Sequence, residues 1–196
     1  MRKPRIIVFL SLIMIFCLNI SNVFAYEFYG KPIYRDGVAV IEWHAGLSAS
    51  TDGTTILHAD NYEDATRVTD YDGFMKSSSN DFKGVYHKKE MDIYDYQEVV
   101  ETANRLVELK IPYDFYNPVG HNETSGYISP TEITGIRCDG FVEYSFEWNN
   151  FKVMKWGING SIWDISEVED NKAHTWYNMS PKSQAAFLDY YASNLN

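Results

Sequence analysis

Two apolar runs separated by a turn signal set the first structural expectation. Val38-Ala39-Val40-Ile41 follows Asp36-Gly37 and continues through Glu42-Trp43-His44-Ala45-Gly46-Leu47-Ser48. Thr54 to Ala59 is β-branched and apolar, and Thr51-Asp52-Gly53 between the runs has turn chemistry. The pattern predicts an antiparallel hairpin of 38–49 with 54–60. Residues 65–70 and 82–88 have weaker strand character, with a Ser/Asn loop at 77–81 between them. The period then changes. Ile93, Tyr96, Val99, Val100, Ala103, Leu106 and Val107 recur at helical spacing, so 92–110 reads as a helix capped by Asp92 and ended by Pro112. Residues 116–135 are rich in Asn, Gly, Ser, Thr and Pro without a period and read as a long loop. A second helix is expected from Cys138 to about Asn149, with Cys138, Val142 and Phe146 on one face. A third is expected from Pro181 to about Asn194, with Ser180 as its N-cap. The order of elements, with no internal repeat, is that of one α+β domain.

The N-terminus follows a different pattern. Arg2, Lys3 and Arg5 precede an apolar stretch from Ile6 to Ile20, and Val23-Phe24-Ala25 has the small residues of a cleavage site. This is the layout of a secretory signal peptide over residues 1–25, with an uncleaved anchor as the alternative. It implies a secreted or cell-envelope protein with no integral membrane segment after cleavage. The 196-residue chain carries 17 basic and 27 acidic residues, a net charge of −10. The segment holds three basic and no acidic residues, so cleavage leaves residues 26–196 at −13. That balance excludes a nucleic-acid partner recognised by charge.

Cleavage also removes Cys17 and leaves Cys138 as the one mature thiol. An exported domain with one cysteine has no internal disulfide, so the thiol is a buried residue, an intermolecular link or a reactive group. Cys138 falls at an expected helix N-terminus, where unpaired N–H groups and the helix dipole stabilise a thiolate. A thiol nucleophile needs a base and a group to orient that base. His44 and His58 lie on the two strands of the expected hairpin, near facing positions about residue 52. An offset of two keeps both on one sheet face, because strand side chains alternate. His87, His121 and His174 fall at strand ends or in loops and read as surface residues.

Ile111-Pro112-Tyr113 followed by Arg137-Cys138-Asp139-Gly140-Phe141-Val142 resembles the nucleophile region of NlpC/P60 domains. Asp36-Gly37-Val38-Ala39-Val40, His44-Ala45-Gly46-Leu47 and Ile56-Leu57-His58-Ala59 resemble the strand pair of that family, which carries the base and a third polar residue. The order His44, His58, Cys138 is that of the circularly permuted branch. The resemblance implies a papain-like α+β core, with an antiparallel sheet and the nucleophile helix packed against it. It also implies Cys138 as nucleophile, His44 as general base, His58 as orienting group and Tyr113 beside the oxyanion. Asp139 departs from the family pattern, which has a small residue there. A carboxylate next to the nucleophile opposes thiolate formation unless it points away or pairs with Arg137.

These roles describe acyl transfer through a thioester, with no cofactor and no metal required. The expected reaction is hydrolysis of an amide bond, with bacterial cell-wall peptides as the substrate class the resemblance implies. A thioesterase, lipid acyl hydrolase or acyltransferase on the same scaffold is the alternative, and a non-catalytic ligand- or wall-binding protein a second. The same Cys and two His could also form an open three-ligand zinc site. Trp156, Trp163, Trp176 and Tyr177 cluster in 156–178, where they could line a cleft or staple this segment to the core.

Overall fold

Six strands form one antiparallel sheet in the computed structural model, which describes residues 27–36, 43–154, 163–165 and 178–195. They are β1 (Pro32–Asp36), β2 (Trp43–Ser48), β3 (Ile56–Asp60), β4 (Ala65–Thr69), β5 (Phe82–His87) and β8 (Asp189–Ala192), in the order β4-β3-β2-β1-β5-β8. β6 (Val119–His121) and β7 (Ile133–Ile136) form a separate antiparallel pair. The helices are α1 (Tyr71–Met75), α2 (Ile93–Glu108), α3 (Cys138–Glu147) and α4 (Pro181–Phe187). The protein is therefore α+β with an antiparallel sheet.

Strand alternation divides the core in two. Tyr34, Ala45, Leu47, Leu57 and Ala59 face α2 and α3, in one buried cluster with Val99, Ala103, Leu106, Cys138, Phe141 and Val142. Ile33, Ile56 and Val85 point the other way, onto Phe28, Phe74 and Met75. α2 begins where its sequence predicts. Asp92 accepts from Tyr94 N and Asp95 N, while Asp95 accepts from Asp92 N, so the first turn's donors are satisfied reciprocally. Its Tyr96, Val99, Val100, Ala103 and Leu106 form the buried stripe.

The expected hairpin is present in β2 and β3, with Leu47 opposite Leu57. Residues 38–42 of that expectation lie outside the described residues, as do the signal-peptide segment, His174, Trp156, Trp176 and Tyr177. β4 and β5 match the two weaker strand candidates. β1 and α1 have no counterpart in the expected elements. The long loop over 116–135 is corrected in part: it contains β6, a 3-10 turn at Pro130–Glu132 and the start of β7. Gly120 and Gly135 pair across this ladder against Asp114, and a Cβ on Gly135 would lie 2.9 Å from Asp114 Cβ. Strands this short, with glycine at the crossing, leave no alternating apolar pattern to read.

The third helix is corrected too. Ser180 caps it as expected, accepting from Ser183 N, but α4 ends at Phe187 and Leu188 is extended. Asp189–Ala192 then joins the sheet beside β5. Tyr190 packs edge-on against Tyr86, and Tyr191 against Phe28 and under Lys31 Nζ. Aromatic pairs on a pleated surface outweigh the weak propensity of a further helical turn. Trp163 is a core residue, packed on Tyr144 with ring centroids 5.1 Å apart. Among the described residues, no helix is long and apolar enough to cross a membrane.

Candidate active site

The sheet splits where the two expected histidines meet. β1 and β2 pair over five positions, and β3 and β4 over five, but β2 and β3 share ladder pairs only at Leu47–Leu57 and Ser48–Ile56. Towards His44 and Asp60 the two central strands have separated. The 47–57 register, continued, puts His44 and His58 two positions out of step and on one face. His44 Nε2 lies 2.8 Å from His58 Nδ1, with the rings edge-to-face, so the imidazoles bridge strands whose backbones no longer do. Phe74 of α1 packs against both rings, at 5.4 Å and 5.5 Å.

α3 brings the thiol to the same split from the opposite face. Cys138 is the first residue of the helix, after Arg137 as N-cap in an extended conformation. Gly140 permits this placement. A Cβ there would lie 1.7 Å from Pro118 O, so only glycine lets the first turn approach that backbone. Pro118 O also accepts from Arg137 N, fixing the entry to the helix. The thiol is engaged by the backbone of Ala45 and of Asp139, both favouring the thiolate, as only N–H donors can. The Ala45 N–H is thus a donor left over by the β2–β3 split, and it belongs to the residue following His44.

Tyr113 completes the group. Its N–H donates to Asp64 O, and it lies parallel to Ile136, whose N–H donates to Pro112 O. That clamp holds Tyr113 beside the strand leading into Cys138, near enough to the thiol for the two groups to oppose each other's ionisation. The structure joins His44 with His58 on the Phe74 face of the sheet and places Cys138 near Tyr113 on the other face, beside Ala45; among the described residues no hydrogen bond joins His44 to Cys138. His121, on β6, is half-buried, and His87 packs against Tyr191; neither joins the group.

Electrostatics oppose ionisation of every member. Burial, then His58, Arg35 and Lys76, hold the His44 imidazole well below its usual range. Burial does the same to His58, against the opposing effect of Asp60. The thiol is pushed up to about 12, first by burial and then by the Asp139 carboxylate. Asp139 does pair with Arg137, through two hydrogen bonds of 2.7 Å, and both are buried. Gly140 N donates to the same carboxylate and Arg137 also donates to Met179 O. The pairing reduces the Asp139 field at the thiol without cancelling it. Burial and the nearby charges thus favour the neutral forms of the thiol and of both imidazoles.

Three neighbours of this site have no place in the expected set. Asp60, two residues after His58 on the same face, accepts from Lys76 Nζ at 2.7 Å and from Arg67 and Tyr62 N. A period-two reading of β3 could have found it. Phe74 and Arg35 come from an element and a strand the apolar pattern did not mark. Among the described residues, no group of three or more His, Cys, Asp or Glu side chains is arranged to hold a metal ion. Compared with protein-family models, curated proteins and solved structures, the chain gives no significant match.

Proposed function

We propose that the protein is a secreted cysteine hydrolase of the circularly permuted NlpC/P60 type, cutting amide bonds in bacterial cell-wall peptides. The observation that carries the reading is the His44–His58 hydrogen bond spanning the strand split at which the Cys138 thiol engages Ala45 N–H. With Nε2–H donating to His58, His44 keeps its Nδ1 lone pair free for a proton; because the ring and the thiol stand on opposite faces of β2, taking that proton from Cys138 requires a rearrangement on substrate binding. The thiolate attacks the substrate carbonyl, and the oxyanion is held by the Cys138 N–H, which has no partner within its own helix, and by the Tyr113 hydroxyl. The imidazolium then protonates the leaving amine. Water, deprotonated by His44, hydrolyses the thioester and restores the thiol. Cys138 and His58 have no exposed surface and His44 only 5%, so substrate binding must displace the side chains over the thiol.

Release of peptides from purified peptidoglycan tests the proposal. Cys138→Ala should abolish release while keeping the wild-type unfolding transition; undiminished release by that variant would overturn it.

One observation favours a second reading, a binding protein that retains the scaffold without turnover: the thiol is fully buried and pushed up to about 12. On that reading Cys138 reacts with iodoacetamide only above the ordinary thiol pKa of about 8.5, and no substrate leaves an acyl group on it.

A further inference from the structure

Arg35 is a buried cation beside the site with no carboxylate at ion-pair distance among the described residues. The neighbouring cations are matched: Lys76 and Arg67 pair with Asp60, and Arg137 with Asp139. Arg35 is 2% exposed, and its guanidinium donates only to the main-chain carbonyls of Phe74 and Asp36. It lies over the Phe74 ring, 5.5 Å from the centroid, and that ring packs on both imidazoles. In the β1–β2 ladder Arg35 stands directly opposite His44. Asp60 and Asp36 act on Arg35 through space but neither pairs with it directly; burying a cation without a direct partner is costly, and packing alone would be met as well by an apolar side chain.

We propose that Arg35 is the electrostatic positioning residue of the site, a fixed positive charge that keeps His44 and His58 neutral and favours the anionic form of Cys138. One cation acts on both in the same direction, since it disfavours an imidazolium and favours a thiolate. Its field reaches both imidazoles and the thiol. The other charged and titratable groups facing these three are Lys76, Arg67 and Asp60 around the imidazoles. Arg137, Asp139, Tyr113 and Tyr34 face the thiol. Arg35 thereby places the pH range of the thiol chemistry lower than burial alone would allow. What that range serves rests on the hydrolase reading; whether Arg35 sets it does not.

The test is the pH midpoint of Cys138 alkylation by iodoacetamide in the full chain. Arg35→Gln keeps N–H donors for the two carbonyls and removes the charge. Its midpoint should rise by about one unit, a tenfold slower reaction at fixed pH below the midpoint. Arg35→Lys keeps the charge and should restore most of the shift. Equal shifts in both variants, or none in Arg35→Gln, would overturn the proposal. A measurement on the unaltered protein stands even if Arg35→Gln does not fold: imidazole NMR should show His44 and His58 neutral at pH 6, and an imidazolium there would contradict it. A shifted midpoint in a protein that cleaves no peptide would remove the hydrolase reading and leave Arg35 in its role.

Discussion

His44 Nε2 and His58 Nδ1 are hydrogen-bonded at 2.8 Å across two strands whose ladder has already ended. The contact substitutes a side-chain bridge for the missing backbone pairs and fixes which His44 nitrogen is left for chemistry. It has a cost: among the described residues, His58 Nε2 is buried without a hydrogen-bond partner. A buried orphan of this kind costs about 1–3 kcal/mol, which the ring contacts with Phe74 and His44 must offset.

Replacing His58 should separate orientation from packing. His58→Asn retains an acceptor for His44 Nε2–H and should keep part of the peptide-releasing activity. His58→Phe fills the space, removes the acceptor, and should lower kcat about 100-fold or more with a smaller effect on KM. Steady-state kinetics on wall peptides check this, with equal activity of the two variants as the contrary result.

Asp139 couples stability to thiol chemistry. Asp139→Asn removes the carboxylate that accepts two hydrogen bonds from the buried Arg137, which should cost about 3–5 kcal/mol in urea unfolding. The same change removes the carboxylate that raises the thiol pKa, so the alkylation midpoint should fall. A variant that is destabilised with an unmoved midpoint would show that the Asp139 field does not reach the thiol.

Gly140 sets the height of the thiol over the sheet. Gly140→Ala places a methyl group 1.7 Å from Pro118 O, so the first turn of α3 must withdraw. About 1–3 kcal/mol of stability should be lost, and activity with it, because Sγ leaves Ala45 N–H. Unfolding and peptide-release assays on one preparation read both effects.

Stability should depend on pH in two opposed ways. His44 and His58 have folded pKa values below the unfolded value of about 6.5. Their contribution is full above that pH and is lost as pH falls, by up to about 1.4 kcal/mol per unit for each imidazole. Glu147 is the reverse case. Burial pushes it up to about 8, so its contribution is full below the unfolded value near 4.5 and is lost as pH rises through 8. Glu147→Gln should therefore become progressively more stable than wild type from pH 5 to pH 8, then level off. Denaturant midpoints across that range check it; a constant difference would mean that Glu147 does not titrate there.

The legible parts of this molecule are those where one residue's position implies another's. The α2 stripe and its Asp92 cap follow from a 3.6 period, and the His44–His58 juxtaposition from a turn centred near residue 52. Cys138 at a helix start follows from the apolar face of Cys138, Val142 and Phe146. β1 was not legible because Pro32–Asp36 is buried on both faces and so lacks alternation. β8 was masked by a well-formed α4 cap upstream of it. Arg35 and Phe74 enter the site through tertiary packing, in which neither spacing nor composition distinguishes them from other buried residues.

Acylation of Cys138 tests the central claim most directly. After incubation with an activated acyl ester or a wall-peptide amide and rapid acid quenching, intact-protein and peptide mass spectra should show one acyl group on Cys138. The adduct should be labile to hydroxylamine, absent from Cys138→Ala and slow to form in His44→Ala. Turnover with no adduct on Cys138, or an adduct that persists in Cys138→Ala, would contradict the account.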